Sequence, residues 1–466
     1  MSDGSTSVEL VNSLRGLIAG LAAGDRLPSS RELIQRFHVG PGTVSRAIAV
    51  LAAEGAVVTR PGSGTFVAQR ARLDARVANT AWQTVALTDR TVDVRSVTDV
   101  FGTPSESTLM LDGGYLHRSL QPVRALNAAL TRAGRGPDVW DRAPTAGLTG
   151  LRAAFAAFTG AGVSGSDVLV TGGGQSALSM AFRAIAGPGD PVLVESPTYP
   201  GALAAARAAG LRPVPVPLDD EGVLPDLLAE AFAMTGARLF YCQPAFHNPT
   251  GTVLAASRRA QVLDVARAAG AFVVEDDFGR HLGHAGAPPR PLLADDRDGT
   301  VVYVTSLTKP GAPSLRIGAL IARGPVMERM RAIRRVDDFF VARPLQEAAL
   351  ELVTSPAWER HVRTLGTALG ERAVALAAAV ARDLPSWTVT RVPAGGLHLW
   401  ARAPSSAVRI AGAARRYGVA VSAGDRYFAA EAPGDYVRLT FGATAALPDL
   451  AEAVRRLVRC QDGDAD

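Results

Sequence analysis

Apolar positions in the first 70 residues recur at two periods. Leu10, Val11, Leu14, Leu17, Ile18 and Leu21 fall at helical spacing, and Gly24-Asp25-Arg26-Leu27-Pro28 ends that helix. Ser29-Ser30-Arg31-Glu32 has the form of a capping box, in which the Ser29 hydroxyl and Glu32 carboxylate satisfy free amides at a helix start. The second helix therefore runs from there to about Phe37. A turn at Gly40-Pro41-Gly42 precedes a third helix over 43–54, with Val44, Ala47, Ile48 and Leu51 on its inner face. Alternating stretches at 56–60 and 65–68 flank Pro61-Gly62-Ser63-Gly64 as a hairpin. Three helices followed by a two-stranded wing predict a winged helix-turn-helix over residues 1–70.

Residues 71–97 carry no clear period and read as a linker, with Trp82 as an exposed aromatic. From 98 onward strand-like and Ala-rich helical stretches alternate. The strands are expected at 168–171, 192–195, 238–242, 272–275, 301–305 and 317–322, a doubly wound α/β pattern. Beyond about residue 345, long helices precede apolar runs at 387–391, 397–401 and 436–441, the mark of a smaller α+β domain. The body is thus expected to span 98–460, and no tandem repeat appears.

At 466 residues, 47% hydrophobic and 20% charged, the chain has the composition of a folded soluble protein of two or three domains. No apolar stretch is expected to reach the roughly 18 residues that span a bilayer, and the N-terminus has neither a basic start nor an apolar core. The expected location is the cytoplasm, with no membrane partner. Cys242 and Cys460 give neither metal spacing nor a disulfide framework, so no metal is expected. A net charge of +5 is mild for this length, so a DNA partner has to be argued from the winged motif.

One residue changes the picture. Of the 49 lysines and arginines, Lys309 is the single lysine. GC-rich coding would explain the bias toward arginine, and the survivor then asks for chemistry that arginine cannot do. A guanidinium stays protonated, whereas a primary amine attacks a carbonyl to form a Schiff base. Lys309 follows the 301–305 strand in Ser306-Leu307-Thr308-Lys309, and Arg316 comes seven residues on, so two hydroxyls, an amine and an arginine could hold a phosphate beside an aldehyde. Thr171-Gly172-Gly173-Gly174-Gln175 follows a strand and opens a helix, pointing free amides at a ligand. Tyr199 could stack on a heteroaromatic ring, the 244–251 segment with His247 and Asn248 offers imidazole and amide donors, and a carboxylate of Glu275-Asp276-Asp277 at a strand end could keep a pyridine nitrogen protonated.

Two resemblances emerge from these pieces. Leu27-Pro28-Ser29-Ser30-Arg31-Glu32-Leu33, Thr43-Val44-Ser45-Arg46-Ala47, Leu51-Ala52-Ala53-Glu54-Gly55 and Gly62-Ser63-Gly64-Thr65-Phe66-Val67 resemble the DNA-binding domain of GntR-type bacterial regulators. That likeness implies operator contacts from Arg31 and the start of the third helix, and a wing at Ser63 and Gly64 near the backbone. Gly40-Pro41-Gly42 departs from the family pattern and shifts the expected contacts to Thr43, Ser45 and Arg46. The order of the 248–251, strand-end aspartate and lysine segments resembles the fold-type I aminotransferases, which bind pyridoxal 5'-phosphate. This second likeness implies Lys309 as the aldimine amine, Asp276 on the pyridine nitrogen, Asn248 near the ring hydroxyl and Tyr199 on the ring. Gly174, Gln175, Ser306, Thr308 and Arg316 would hold the phosphate, Arg438 would grip an effector carboxylate, and the protein would be a homodimer. A tyrosine usual shortly after the aspartate is replaced by Phe278 and Gly279, and Arg142 stands near where another is usual.

A GntR-like head on an aminotransferase-like body resembles the MocR subfamily of transcriptional regulators. It implies a DNA-binding regulator that senses a small amine or amino acid, or pyridoxal phosphate itself, through Lys309. Two alternatives stay open: a working aminotransferase with a DNA-binding head, in which Lys309 is also the general base, and a repressor whose body binds no cofactor.

Overall fold

The computed structural model describes residues 3–68, 79–87, 107–284 and 286–463, with side chains from Glu9 to Cys460. The chain divides into two compact units, Met1–Thr91 and Val92–Asp466.

In the first unit, helices α1 (Asp3–Ala19), α2 (Ser30–Phe37) and α3 (Pro41–Ala53) pack around Leu10, Leu14, Leu33, Val44 and Leu51. Both halves of the expected capping box form: Ser29 Oγ accepts from the Glu32 amide, and Glu32 accepts from the Ser29 amide. Strands β1 (Val57–Arg60) and β2 (Gly64–Val67) pair antiparallel as the wing. The chain before α2 braces it, with the Leu27 amide donating to Thr65 O and the Val67 amide to Asp25 O, both at 2.8 Å. One expectation fails at the start of α3. Gly40-Pro41-Gly42 is not a turn ahead of the helix: Gly40 is its N-cap and Pro41 its first residue. The first turn of a helix leaves its N–H groups unpaired, so proline costs nothing there.

Most of the proposed linker lies outside the described residues. Its described part, 79–87, contains the short helix Ala81–Ala86, where Trp82 is exposed.

Among the described residues, the first strand of the second unit is β3 (Leu109–Met110), and the unit is built on strands β4 (Val168–Thr171), β5 (Pro191–Ser196), β6 (Arg212–Asp219), β7 (Gly222–Val223), β8 (Leu239–Cys242), β9 (Phe272–Asp276), β10 (Val301–Ser306) and β11 (Gly318–Ile321). Apart from β3, these form one sheet in the order β4-β11-β10-β9-β8-β5-β6-β7. Strands β10, β9, β8, β5 and β6 run parallel, while β11 is antiparallel to both β10 and β4. Buried cores cover both faces, with Phe155, Leu193 and Phe240 in one and Phe182, Tyr241 and Met330 in the other. Complete burial of β4, β8, β10 and β11 is why these strands read as unbroken apolar runs.

Strand β6 was not anticipated, because Pro213, Pro215 and Pro217 argue against a strand. Alternate spacing places every missing N–H on the same side, so the other side keeps its parallel ladder to β5. A smaller four-stranded sheet has the order β12 (Thr388–Val389), β13 (His398–Arg402), β16 (Tyr436–Thr440), β15 (Ser422–Ala423), and β14 (Val419–Ala420) pairs with β3. Against the expectation that no apolar stretch reaches a bilayer-spanning length, the helix Pro356–Asp383 is long and apolar enough, by length and composition, to cross a membrane. Here it buries Leu365, Leu369, Leu376 and Val380 in the core beside the smaller sheet.

Candidate functional site

The parallel strands bring their C-terminal ends to one edge of the sheet, where open α/β folds bind ligands. Thr171 ends β4, Asp276 ends β9, and Ser306 ends β10 three residues before Lys309. A cradle forms where β4 meets helix Gly174–Ile185. Gly173 caps that helix at φ 93° without any side-chain cap, leaving its first amides open. Arg316 donates to Gly172 O at 2.8 Å, and a Cβ on Gly173 would sit 2.9 Å from Arg316 Nη2. Only glycine leaves room for the guanidinium there. Ser306 Oγ accepts from the Thr308 amide at 3.1 Å, and Thr308 Oγ1 is buried without a partner. Open helix amides, an arginine and an orphaned hydroxyl together suit a phosphate dianion.

Lys309 is half-buried, donates to Gly114 O at 2.6 Å and lies 4.1 Å from the centre of the Tyr115 ring. Burial, then the nearby Arg438 charge, lowers its pKa to about 7, against a smaller opposing pull from Asp276. A large fraction of the amine is therefore unprotonated and nucleophilic at neutral pH. Asp276 is 4% exposed and accepts on Oδ2 from Tyr241 at 2.7 Å and Gln243 at 2.9 Å. Burial raises it to about 6, with both donors pulling it back toward the ionised form. Both bonds fall on one oxygen, which leaves the other for a cationic ring nitrogen. Tyr199 donates to Gln175 Oε1 at 3.2 Å, and Gln175 in turn donates to Gly201 O. The site thus fits pyridoxal phosphate: Lys309 for its aldehyde, Asp276 for its nitrogen, and the cradle for its phosphate.

Arg438, on β16, reaches the same place. It is 5% exposed, donates to Asn248 Oδ1 at 3.1 Å and to the carbonyls of Asp112 and Gly113, and lies 5.2 Å from the Tyr427 ring. His398 Nε2 is 3.4 Å from Arg438 Nη1, and burial followed by the Arg438 charge drives its pKa well down. A neutral His398 accepts from Arg438 and gives its Nδ1 proton to Thr440 Oγ1, which itself donates to Gly113 O.

Of the residues singled out from sequence, Gly174, Ser306, Thr308, Lys309 and Arg316 gather at the strand edge as described, with Asn248, Asp276, Tyr199 and Arg438 around them. Gln175 is the second residue of the helix that Gly173 caps, so its backbone N–H lies among the open amides, while its side chain bonds Tyr199 and Gly201. Phe278 packs against the core of the smaller sheet, and a Cβ on Gly279 would meet Phe246 at 3.1 Å. Arg142 is exposed. The sequence reading missed Tyr115, Tyr241, Gln243 and His398. Tyr241 carried a usable signal, since a tyrosine inside a fully buried strand needs a partner for its hydroxyl.

In the first unit Arg31, Ser45, Arg46 and Ser63 are exposed, and Gly64 lies at φ 112° against Arg26. Thr43 is only 7% exposed. With the helix beginning two residues earlier than expected, Thr43 turns inward beside Val44, so it does not join the exposed set.

Residues 111–457 match the family of class I and II aminotransferases. The chain belongs to that family. Ahead of this aminotransferase body, residues 6–67 match the gntR family of bacterial regulatory proteins. That pairing places the chain in the MocR subfamily of GntR-type transcriptional regulators. It is 28% identical over 93% of its length, and 91% of the relative's, to the HTH-type transcriptional regulator YdfD of Bacillus subtilis. It is 32% identical over 69% of its length, and 81% of the relative's, to 2-aminoadipate transaminase of Thermus thermophilus. Among solved structures, α-aminoadipate aminotransferase LysN from Thermus thermophilus, complexed with N-(5'-phosphopyridoxyl)-L-leucine, superposes at a TM-score of 0.76. It shares 28% identity, covering 82% of this chain and 98% of that one.

Proposed function

We propose that this MocR-type regulator binds operator DNA through its gntR-family head and senses a small amine or amino acid through pyridoxal phosphate held covalently by Lys309. Pyridoxal phosphate, when bound, supplies an aldehyde carbon that amines attack and a ring that withdraws electrons from it. The protein's own groups do the rest. Lys309 offers an amine whose pKa is depressed to about 7, and Asp276 holds a negative charge toward the ring nitrogen. Arg316, Ser306 and Thr308 anchor the phosphate, Tyr199 covers the ring, and Arg438 holds a carboxylate on the ligand.

The observation that carries this reading is the single lysine, half-buried just past the end of β10 among those groups. At the head, Arg31, Ser45, Arg46, Ser63 and Gly64 are the surfaces offered to DNA. A homodimer in the cytoplasm, with residues 1–70 as the head, 71–97 as the linker and 98–460 as the body, completes the proposal. Two heads on one dimer suit a repeated half-site.

The test is an absorbance titration of the purified, cofactor-loaded protein against amines and amino acids. A band near that of a Schiff base, shifted by at least one ligand, is expected; no band at all refutes the assignment. A second reading, an active aminotransferase with a DNA-binding head, is favoured by one observation: the nucleophilic amine, Asp276 and Arg438 are all present in one site. Sustained transfer from an amino donor to a keto acid would select it.

A further inference from the structure

Residues 109–117 cross the candidate site as a strap with two firm ends and a differently held middle. At one end, β3 pairs with β14, and the Leu109 and Leu111 amides donate to Gly418 O and Ala420 O. Leu111 and Leu116 are buried in the core of the smaller sheet, and the His117 amide donates to Gly442 O at 2.8 Å. The middle, 112–115, is held by the site itself. Arg438 donates to the Asp112 and Gly113 carbonyls, Thr440 Oγ1 donates to Gly113 O, Lys309 donates to Gly114 O, and the Tyr115 ring faces the Lys309 amine.

Arg438 is the cation that an amino-acid carboxylate would require, and Lys309 is the amine that the cofactor would take up. We infer that residues 112–115 are a built-in competitor for the site, so that an amino-acid carboxylate must take Arg438 from the Asp112 and Gly113 carbonyls, and the ligands sensed are amino acids and not simple amines. This rests on the proposed function and adds the ligand class and the element it displaces.

Arg438 is prepared for such an exchange. Its hydrogen bonds go to neutral acceptors: two backbone carbonyls, the Asn248 amide oxygen and His398. Its Nε is buried and has no partner. A carboxylate brings a full charge and two parallel acceptors, and such charge-assisted bonds are roughly twice as strong as neutral ones. Asp112's own carboxyl is a weak rival, because burial pushes it up toward its neutral form against the opposing pull of Arg438. A simple amine has nothing to offer Arg438 and leaves the strap in place.

The strap can be locked to test this. A Cβ on Gly113 would lie 3.8 Å from the Ala443 Cβ, about the mean Cβ separation across a disulfide, roughly 3.8 Å. The double variant Gly113→Cys, Ala443→Cys is made in the full chain and loaded with pyridoxal phosphate. It is compared oxidised and after reduction with a phosphine, since thiols would attack the cofactor's aldehyde. The probes are the standard primary amino acids and their decarboxylated amines, read by the cofactor's absorbance.

In wild type, at least one amino acid is expected to shift the band at a concentration about tenfold or more below its own amine. Oxidation of the double variant should raise that concentration at least about tenfold, and reduction should restore it. Amines that match their parent amino acids, an oxidised variant that responds like the reduced one, or a loaded protein that no amino acid shifts would each overturn the inference. A protein with no cofactor band before any probe is added signals instead that the proposed function has failed, and the inference with it. Thr440→Val removes the bond to Gly113, along with the His398 bond to the same hydroxyl, and requires no disulfide. It should lower the effective amino-acid concentration about fivefold, the worth of roughly one hydrogen bond, and an unchanged or raised concentration counts against the strap.

Discussion

Asp276→Asn should make the cofactor-free protein more stable while removing its hold on the cofactor. The carboxyl is 4% exposed, and burial raises it to about 6 from an ordinary value of 3.8. The folded state therefore binds the proton more tightly than the unfolded chain, and wild type loses stability as pH rises from about 4 to above 6. A shift of about 2 units corresponds to about 3 kcal/mol at pH 8 and about half of that at pH 5. Asparagine carries no charge and still accepts from Tyr241 and Gln243, so it escapes the penalty. Thermal melts of cofactor-free wild type and variant at pH 5 and 8 would read this as a rise in Tm of about 2–4 °C at the higher pH and less at the lower. The variant should also bind pyridoxal phosphate at least about tenfold more weakly, since nothing then balances a protonated ring nitrogen. A variant no more stable than wild type at pH 8, or one that keeps full cofactor affinity, would refute the reasoning about this carboxylate.

Other expectations follow from the same site and from the head. Tyr241→Phe should raise the Asp276 pKa by about 1–2 units through loss of a charge-assisted hydrogen bond, visible as a shifted pH midpoint for cofactor binding; an unmoved midpoint would show that the 2.7 Å contact does not tune the carboxyl. Covalent capture of pyridoxal phosphate by cofactor-free protein should speed up as pH rises through about 7, where Lys309 loses its proton, and a rate independent of pH from 6 to 8 would contradict that amine. Arg31→Ala and Arg46→Ala should weaken DNA binding and flatten its salt dependence with the cofactor spectrum unchanged, measured on fragments selected from genomic DNA; unchanged salt slopes would remove either residue from the interface. A fragment of residues 92–466 should sediment as a dimer that binds pyridoxal phosphate, and a monomer that binds it fully would overturn the dimer.

What could be read from the sequence depended on whether local chemistry or distant packing decided the outcome. The capping box at Ser29 and Glu32 is a local device, and it forms as read. Strands β4 and β10 are buried on every residue, so their apolar runs announced them. Lys309 stood out because it is the only lysine, whereas the strand end offered three acids, Glu275, Asp276 and Asp277, and the resemblance to aminotransferases picked out Asp276 among them. Gly40-Pro41-Gly42 misled, since the same residues serve a turn or a helix start, and the choice turned Thr43 inward. The β6 prolines hid a strand whose ladder partner lies elsewhere in the chain. Gly114 and its neighbour Tyr115 were invisible for the same reason: Gly114 lies 195 positions from Lys309, and only the fold brings them together. Gln175 could be placed in the cradle from the motif it sits in, but its side-chain bonds to Tyr199 and Gly201, beyond the end of the next strand, depend on the fold.

The central claim, that Lys309 holds pyridoxal phosphate covalently, is tested most directly by borohydride reduction of the loaded protein followed by peptide mass mapping. The expected result is a phosphopyridoxyl group on the peptide containing Lys309, and none on Lys309→Ala or Lys309→Arg. Cofactor that washes away after reduction, or that stays attached in either variant, would contradict it.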